Sequence, residues 1–512
     1  MTLDLYVRTI APMPTTPKAT LRTWAGLLVL LLPALLTSMD ISVLFVAAPV
    51  IAETLRPSAT QWLWAMDVYG FVMAGLLITM GGLGDRVGRR RLLLAGAALF
   101  GAASVALAYA PTPELLILAR AALAIGGATL APSTLSLIRG MFADEAQRRA
   151  AVGAWTVAFS GGAVAGPVVG GVLLEHFWWG SVFLINVPVM VLLLVAAPFL
   201  LAESRDPARA GFDVFGVVTS LVAILSLVYA LKQVAGHGFG LVAAGAALAG
   251  AGAAAVFLAR QRRAAHPLID LSLFRVRAFS AAVGASAVVA MATVGLGVLA
   301  FTFMQTVHGL TPLQAALWAA PTFAGTFAGA GAAAALAARV SPAPLLTCGL
   351  LAAAAGFGIV ATLGPGTGLW VFLAGYTVLT FGVGITATIA NSLVLSTAPP
   401  ERAGTASGIA ETSTELGGAL GIAVLGTVAS AAYRTTMTGL APAGTGQAAT
   451  ETVTGAVAAA RETAGPAGAA LLDAAHTAYT AGVTTAALIG ALLTAAVAVL
   501  TAVTLRARRP LP

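Results

Sequence analysis

The sequence predicts an all-α polytopic membrane protein with about fourteen transmembrane helices. Three observations carry this prediction: hydrophobic residues make up 59% of the 512 residues, charged residues make up 9%, and the apolar residues form long segments separated by short polar breaks. An ordinary soluble domain has about 25% charged residues, and a helix needs roughly 20 apolar residues to cross the hydrocarbon of a bilayer. Most of the chain is therefore expected to contact lipid or other helices.

Fourteen apolar segments are predicted as spans and are numbered in chain order. They cover residues 23–51, 61–83, 91–110, 114–138, 149–174, 180–202, 213–233, 239–259, 279–305, 312–337, 344–363, 369–396, 403–432 and 479–505. An even number of spans places both termini on the same side. The first apolar stretch is too long for the hydrophobic region of a signal peptide, so we expect it to be a membrane span.

The distribution of basic residues predicts the orientation. Of the 27 lysines and arginines, 22 fall on the side of the termini, and Arg120 lies inside a span. Arg56, Lys232, Arg434 and Arg461 are assigned to the opposite side. Lysine and arginine are enriched in cytoplasmic loops, so both termini are expected in the cytoplasm of a cell whose cytoplasmic (inner) membrane holds the protein. This distribution also explains the net charge of +8 without a nucleic-acid partner.

An internal repeat suggests how the spans are grouped. Residues 83–87 align with residues 336–340 at an offset of 253 positions, and the same offset places Arg149 on Arg402. Parallel repeats with a substrate site between them are a known transporter architecture. The predicted units are a six-helix bundle at 1–202, two inserted spans at 203–259, a cytoplasmic loop at 260–278, and a six-helix bundle at 279–512 with a long outer segment at 433–478.

The loop after the second span carries a recognisable motif. It reads Gly81-Gly82-Leu83-Gly84-Asp85-Arg86-Val87-Gly88-Arg89-Arg90-Arg91. This sequence resembles the G-x-L-x-D-R-x-G-R-R loop of the major facilitator superfamily. The resemblance implies the fold of that superfamily and a conformational role for Gly81, Asp85, Arg86, Gly88 and Arg89. A carboxylate in this loop can accept from a helix N-terminus, and we expect Asp85 to contact the start of the thirteenth span.

The fifth span carries a second motif, rich in glycine. Its residues Gly162, Gly166, Pro167, Gly170 and Gly171 are similar to the G-x-x-x-G-P-x-x-G-G element of antiporters in the same superfamily. That resemblance implies a conformational role for all five residues. The alternative is close helix packing alone, since small residues let membrane helices approach one another.

Further stretches resemble the fourteen-helix drug:proton antiporters and their quaternary-ammonium efflux branch. They are residues 40–49, Arg120 with Gly126 and Pro132, residues 62–69, residues 183–188, and the Glu411/Glu415 pair. The resemblance implies a proton-coupled antiporter that exports lipophilic and quaternary cationic drugs, dyes and antiseptics by alternating access. It implies no cofactor, because the proton gradient supplies the energy, and the protein is expected to be a monomer in the lipid bilayer.

Charged residues inside the spans are the main candidates for function. An ionised carboxylate within a span costs at least about 2.5–3.5 kcal/mol unless it reaches water or a partner. We expect Asp40, Arg120 and Glu411 to take part in proton coupling, and Asp67, Glu411 and Glu415 to bind the substrate cation. The alternatives are a structural Asp40–Arg120 pair, an Asp67 carboxylate that water reaches at the mouth, and structural contacts of the two glutamates with hydroxyl groups or water.

Aromatic and amide side chains complete the predicted site. Rings attract organic cations through their negative faces, so Phe45, Tyr69, Trp155 and Phe159 are candidates for substrate binding, and Asn391 is a polar candidate. Most rings in spans serve packing, which is the alternative for each of these four.

Other classes of protein find little support in the sequence. A single cysteine and five scattered histidines without an HExxH motif predict neither a disulfide nor a metal site, and no nucleophile–base pattern predicts an enzyme. An exporter of an endogenous metabolite or siderophore on the same fold is the alternative function, and a panel of growth-inhibition assays would separate the two. A channel and a non-transporting sensor are the remaining alternatives.

Overall fold

The computed structural model describes residues 18–205, 213–263, 271–364, 366–398, 403–463 and 465–506. Within these residues the chain forms α-helices joined by short turns, a 3₁₀ turn at Leu273–Arg275 and a π-helical turn at Phe303–Val307. The α-helices are α1 (Leu21–Leu55), α2 (Ala59–Val87), α3 (Arg89–Ala108), α4 (Pro113–Met141), α5 (Glu145–His176), α6 (Ser181–Leu184), α7 (Asn186–Leu200), α8 (Val214–His237), α9 (Leu241–Arg263), α10 (Arg277–Thr302), α11 (Pro312–Trp318), α12 (Ala320–Leu336), α13 (Pro342–Val360), α14 (Leu369–Thr397), α15 (Ala403–Leu440), α16 (Gln447–Glu451), α17 (Val453–Glu462) and α18 (Pro466–Arg506).

Twelve stretches of the described chain are long and apolar enough to cross a membrane. A thirteenth is α2, whose parts Ala59–Leu77 and Thr79–Val87 meet at an angle of 52°. The predicted tenth span corresponds to the short helices α11 and α12, which are consecutive in the chain. The prediction of an all-α protein with many spans is therefore confirmed, while the number fourteen stays a prediction.

Polar residues at the expected breaks begin several of these helices. The side chains of Ser58, Thr112, Asp144 and Thr311 each accept a hydrogen bond from the backbone N–H three residues further on. A helix leaves its first N–H groups without intrahelical partners, and such caps satisfy one of them. These caps explain why the chain turns back into the bilayer within a few residues of each break.

Contacts between helices define two sides of the molecule. The start of α1 lies beside the end of α7, where Gly26 packs against Leu201, and α1 runs parallel to α10, because Gln305 donates to the carbonyl oxygen of Val46 at 2.9 Å. The end of α18 packs with the start of α10, since Leu505 joins the apolar cluster of Phe279. We call this side, where α1 begins and α18 ends, the termini side, and the opposite side the far side.

Glycines bring several pairs of helices into backbone contact, among them α1 with α5 and α10 with α15. A Cβ atom added at Gly162 or Gly166 of α5 would overlap backbone or side-chain atoms of α1. A Cβ atom added at Gly417 or Gly421 of α15 would overlap carbonyl oxygens of α10. Both pairs are four residues apart, so they lie on one face of their helix. The α1/α5 and α10/α15 pairs therefore share one mode of packing, in which the backbone at a glycine lies directly against the neighbouring helix.

The helices α8 and α9 form a hairpin that packs on the seam between α2 and α15. Val228 of α8 lies in a buried cluster with Phe71 of α2 and with Ala419 and Ala423 of α15. In contrast, only 11% of the apolar window of α9 is buried, so this helix presents most of its surface to lipid. The inserted pair thus contacts the rest of the protein mainly through α8.

An ion pair fastens this hairpin on the termini side. Asp213 caps α8 by accepting from the backbone N–H of Gly216 at 2.8 Å, and it accepts from Nε of Arg260 in α9 at 2.8 Å. The hydrogen bond from Arg260 lowers the pKa of the Asp213 carboxyl below its ordinary value. The last turn of α9 extends to Arg263, so the predicted boundary at residue 259 falls a few residues early.

The last span begins earlier than predicted. We expected it to start at residue 479, yet α18 begins at Pro466, and α15 continues to Leu440 instead of ending at residue 432. Most of the predicted outer segment is therefore helical, with α16 and α17 between the two long helices. Tyr433 holds this segment together by donating to the carbonyl oxygen of Ala449 at 2.8 Å.

Two adjacent glycines of α5 provide a matched test of the α1/α5 contact. We expect Gly162→Ala to lower the melting temperature of the detergent-solubilised protein, because overpacking costs about 1–3 kcal/mol and the obstructing atom is the backbone oxygen of Leu35. Gly161→Ala is the control, because nothing lies within 4 Å of its added Cβ atom. Equal melting temperatures for the two variants would contradict the packing role of Gly162.

Candidate functional site

A buried ion pair lies at the centre of the first group of helices. Asp40, near the middle of α1, has its Oδ2 atom 3.8 Å from Nη1 of Arg120 in α4, and both side chains are 1% exposed. The contact that the structural alternative assumed is therefore present, while the role of both residues in proton coupling stays a prediction. Breaking a buried pair by removing one partner costs about 3–5 kcal/mol because it leaves an uncompensated charge. Asp40 and Arg120 consequently depend on each other.

Tyr69 of α2 connects this pair to the second half of the chain. The guanidinium carbon of Arg120 lies 5.3 Å from the centroid of the Tyr69 ring, which is within the range of a cation–π contact. The Tyr69 hydroxyl also lies within electrostatic range of Asp40 and of Glu415 in α15. The expected site residues of α1, α2, α4 and α15 are therefore brought together around this ring.

Asp67 has a partner that the sequence analysis missed. Its Oδ2 atom lies 2.7 Å from Nζ of Lys232 in α8, and the two side chains are 0% and 1% exposed. The assignment of Lys232 to the side opposite the termini is wrong, and so is the expectation that Arg120 is the only basic residue within a span. The alternative that water reaches Asp67 at the mouth is also wrong, because the seam between α2, α8 and α15 covers this carboxylate.

The two glutamates of α15 differ from the aspartates in exposure. Glu411 is exposed and Glu415 is half-buried, and the two carboxylates lie within electrostatic range of each other. Their spacing of four residues places them on one face of the helix. Glu411 lies eight residues beyond Ala403, which is about 12 Å along the helix axis. The pair thus runs from the termini-side half of α15 toward Tyr69.

The aromatic candidates fall into two places. Trp155 and Phe159 of α5 stack with their ring centroids 5.4 Å apart and their planes 13° apart, and Nε1 of Trp155 donates to Thr134 at 3.1 Å. Phe45 is buried on the far-side half of α1, where its ring packs on Gly297 of α10. The stacked pair is half-buried and keeps surface for a ligand, whereas Phe45 belongs to the helix contact.

Asn391 and the remaining motif residues lie on the termini-side half. Asn391 is exposed on α14, six residues before that helix ends at Thr397. Arg86 is exposed at the end of α2, and a Cβ atom added at Gly81 would lie 3.8 Å from Pro132 of α4. Gly81 and Arg86 both lie within α2, so the motif predicted as a loop is helical on both sides of Gly88.

Asp85, the acidic residue of the motif, lies in the last turn of α2 and contacts the first residue of α3. Arg89 donates from Nε to Oδ1 of Asp85 at 2.8 Å, four residues away along the chain. Residues 399–402, which precede α15, lie outside the described residues, so the expected contact of Asp85 with the start of the thirteenth span stays a prediction.

Glu203 is the carboxylate that the structure places at the N-terminus of α3. Its side chain accepts from the backbone N–H groups of Arg90 at 3.0 Å and of Arg91 at 3.3 Å, in the first turn of α3. Gly88, with a φ of 116°, brings the backbone so close that an added Cβ atom would lie 2.7 Å from this carboxylate. Sequence reasoning missed Glu203; its position directly after the sixth predicted span was the available signal.

The glycine motif of α5 contacts two different partners. Gly162, Gly166 and Gly170 face α1, while a Cβ atom added at Gly171 would lie 2.7 Å from the backbone of Leu313 in α11. Pro167 lies inside the helix between these contacts. The first three glycines therefore join helices within one half of the chain, and Gly171 joins the two halves on the far side.

The described residues define a class of protein. They form many apolar helices that bury several ionisable groups, and no group of three or more His, Cys, Asp or Glu among them could hold a metal ion. This arrangement is that of a polytopic membrane transporter. The model of the Major Facilitator Superfamily matches residues 30–422, and the chain belongs to that family, whose members are transporters and not enzymes.

Relatives within the family are efflux and resistance proteins. The chain is 41% identical to the multidrug efflux pump LfrA of Mycolicibacterium smegmatis, with 96% of this chain and 98% of that protein covered. It is 35% identical to the methyl viologen resistance protein SmvA of Salmonella typhimurium, with 80% and 83% covered. The fold is similar to that of a bacterial homologue of the human lysosomal transporter Spinster, with a TM-score of 0.69, 21% identity, and 96% of this chain and 100% of that chain covered.

A double-mutant cycle tests the dependence of Asp40 and Arg120 on each other. We expect Asp40→Asn and Arg120→Gln each to lower the melting temperature of the solubilised protein, because each leaves one buried charge without its partner. The double variant is expected to melt above either single variant, because it removes both charges. Additive losses in the double variant would contradict the pairing.

Proposed function

We propose that this protein is a proton-coupled antiporter that exports lipophilic and quaternary organic cations by alternating access. It would lie in the cytoplasmic (inner) membrane as a monomer of fourteen spans, arranged as six, two and six, with its termini side in the cytoplasm. The observation that carries the proposal is the buried Asp40–Arg120 pair, joined through the Tyr69 ring to the glutamates of α15.

The exposure of Glu411 supports a water-filled space between the halves. A charged carboxylate about 12 Å from the helix end is costly against lipid, and such groups face a cavity or the bundle interior. Glu411 is nevertheless exposed. We infer that this face of α15, with the stacked Trp155 and Phe159 rings across from it on α5, lines a cavity open toward the termini side.

On the far side the two halves are in contact. Gly426 of α15 packs on Leu63 of α2, and Gly171 of α5 packs on Leu313 of α11. Two cavities lie on the far side, one of about 90 Å³ that Trp62 helps to line and one of about 720 Å³ that Glu53, Gln305 and Arg461 help to line. The contacts between the halves, rather than the cavity volumes, support a state that loads substrate from the termini side.

The charges suggest how a proton and a cation exclude each other. When Asp40 carries a proton, Arg120 remains as a cation close to the Tyr69 ring, which disfavours a second cation there. When Asp40 is ionised, it neutralises Arg120, and the carboxylates of α15 are free to attract a substrate. Like charges at short range in a medium of low dielectric repel strongly, so binding of one cation weakens binding of the other.

The relatives support the cation class of the substrate. SmvA is named for resistance to methyl viologen, a compound with two quaternary nitrogen atoms, and LfrA is named as a multidrug efflux pump. A site built from carboxylates and aromatic rings matches that chemistry.

The contacts of Asp85 and Glu203 would keep α2, α3 and α7 together, so that the first half of the chain moves as a unit.

Replacement of Asp40 tests proton coupling. We expect Asp40→Asn to abolish efflux of a cationic dye that is driven by an imposed pH gradient in proteoliposomes, because it removes the titratable group and keeps its shape. Glu145→Gln, at an exposed carboxylate of α5, is the control and should transport normally. Full pH-driven transport by the Asp40→Asn variant would exclude Asp40 as the coupling residue.

The charge of the substrate tests the role of the two glutamates. We expect Glu411→Gln and Glu415→Gln to reduce efflux of a bisquaternary compound more than efflux of a monovalent dye, by about ten-fold for Glu411, because each positive charge taken from water needs a compensating partner. Efflux rates in proteoliposomes measure both. If both variants handle both compounds as the parent does, the glutamates are structural.

A further inference from the structure

The ammonium group of Lys232 occupies a small cage made by α2. Its Nζ atom lies 2.7 Å from Oδ2 of Asp67 and 4.1 Å from the centroid of the Trp64 ring. Asp67 and Lys232 are almost completely buried. A buried carboxylate and an aromatic face three residues apart on one helix therefore hold a single cation between them.

This cage has the chemistry of a site for an organic ammonium ion. A cation over the face of a tryptophan is attracted by the ring, and the attraction is stronger where water is excluded. The neighbouring carboxylate supplies the charge that compensates such an ion. In this structure the ammonium group of the chain's own lysine lies beside both groups.

Lysine is an unusual choice for this position in this protein. Among the 27 basic residues of the chain only Lys18 and Lys232 are lysines, and the others are arginines. A lysine ammonium is a strongly hydrated point charge on a flexible stem, whereas arginine fixes a carboxylate through two parallel hydrogen bonds. Lysine, which occupies position 232, thus leaves a carboxylate more readily than arginine does.

The position of Lys232 on α8 offers its ammonium group a second location, at the far-side end of the helix. It lies five residues before the far-side end of α8 at His237, which is about 7.5 Å along the helix axis. Long basic side chains near helix ends extend along apolar surface to place their charge in the interfacial water. Lys232 can therefore exchange its contact with Asp67 for the far-side interface without movement of α8.

We propose that Asp67 and Trp64 form a cation-binding site in which Lys232 is a tethered occupant that an organic ammonium or phosphonium substrate displaces. The proposal rests on the proposed function, since it concerns the same class of cations, and it adds a site separate from the glutamate face of α15. The inserted hairpin would then act on transport, because α8 carries the group that competes with the substrate.

The two lysines of the chain allow a direct test in the unaltered protein. Solubilised full-length protein is labelled with an amine-reactive ester with and without saturating tetraphenylphosphonium, which has no amine, and labelling is read by mass spectrometry. We expect labelling of Lys232, relative to the exposed Lys18, to rise about five-fold or more when the cation is bound. Unchanged Lys232 labelling while the cation is bound, as measured by equilibrium dialysis, would overturn the inference and leave the proposed function standing.

Variants provide a second test of the proposed cation site. Lys232→Met is expected to bind tetraphenylphosphonium about ten-fold more tightly, because an internal competitor has been removed, and Asp67→Asn in the same chain should abolish that gain. Gln233→Met, which removes a hydrogen bond to Tyr229 of the same helix, is the matched control. If the double variant binds as tightly as Lys232→Met, the pair only fastens α8. If the parent binds no cation at all, the inference and the proposed function both fail.

Discussion

Every ionised group inside the membrane needs a partner of opposite charge or access to water, and this constraint determines how the central helices are arranged. Asp40 has Arg120 as its partner, and this pair joins α1 to α4. Asp67 has Lys232 as its partner, and this pair joins α2 to α8. Removing one member of such a buried pair lowers the stability of the fold by far more than the intact pair adds to it. The ion pairs therefore specify which helices are neighbours more than they add to stability.

The glycines solve a different problem, since lipid gives no hydrophobic driving force for helix association. Membrane helices associate instead through close packing of small residues, and Gly162 and Gly166 on α5 match Gly417 and Gly421 on α15 in spacing and in the kind of atom they meet. The α1/α5 contact in the first half of the chain thus has a counterpart in the α10/α15 contact of the second half.

Hydropathy was enough to predict where most spans lie, because a bilayer imposes a fixed apolar length on each. It failed at α18, where residues such as Asp473 and His476 lower the hydropathy but the abundant alanines, the strongest helix formers, keep the chain helical. The Asp40–Arg120 pair could be predicted because Arg120 lies in the middle of an apolar segment. Lys232 could not, since it stands near a predicted span end and hydropathy says nothing about which way a helix turns its side chains. Glu203 was missed because its role depends on the loop reached through Gly88, which is distant in sequence.

The closed far side ends in a rim of charged residues on α17 and α1. Arg461 pairs with Glu53, and Arg56 pairs with Glu462 at 3.6 Å, with side chains that are 46–71% exposed. Exposed pairs contribute at most about 1 kcal/mol each and weaken as salt rises. The buried pairs at the centre are shielded from such ions. The ionic strength of the medium on the far side therefore acts on these exposed pairs while leaving the central charges untouched, so the two sets of ion pairs respond differently to the same surroundings.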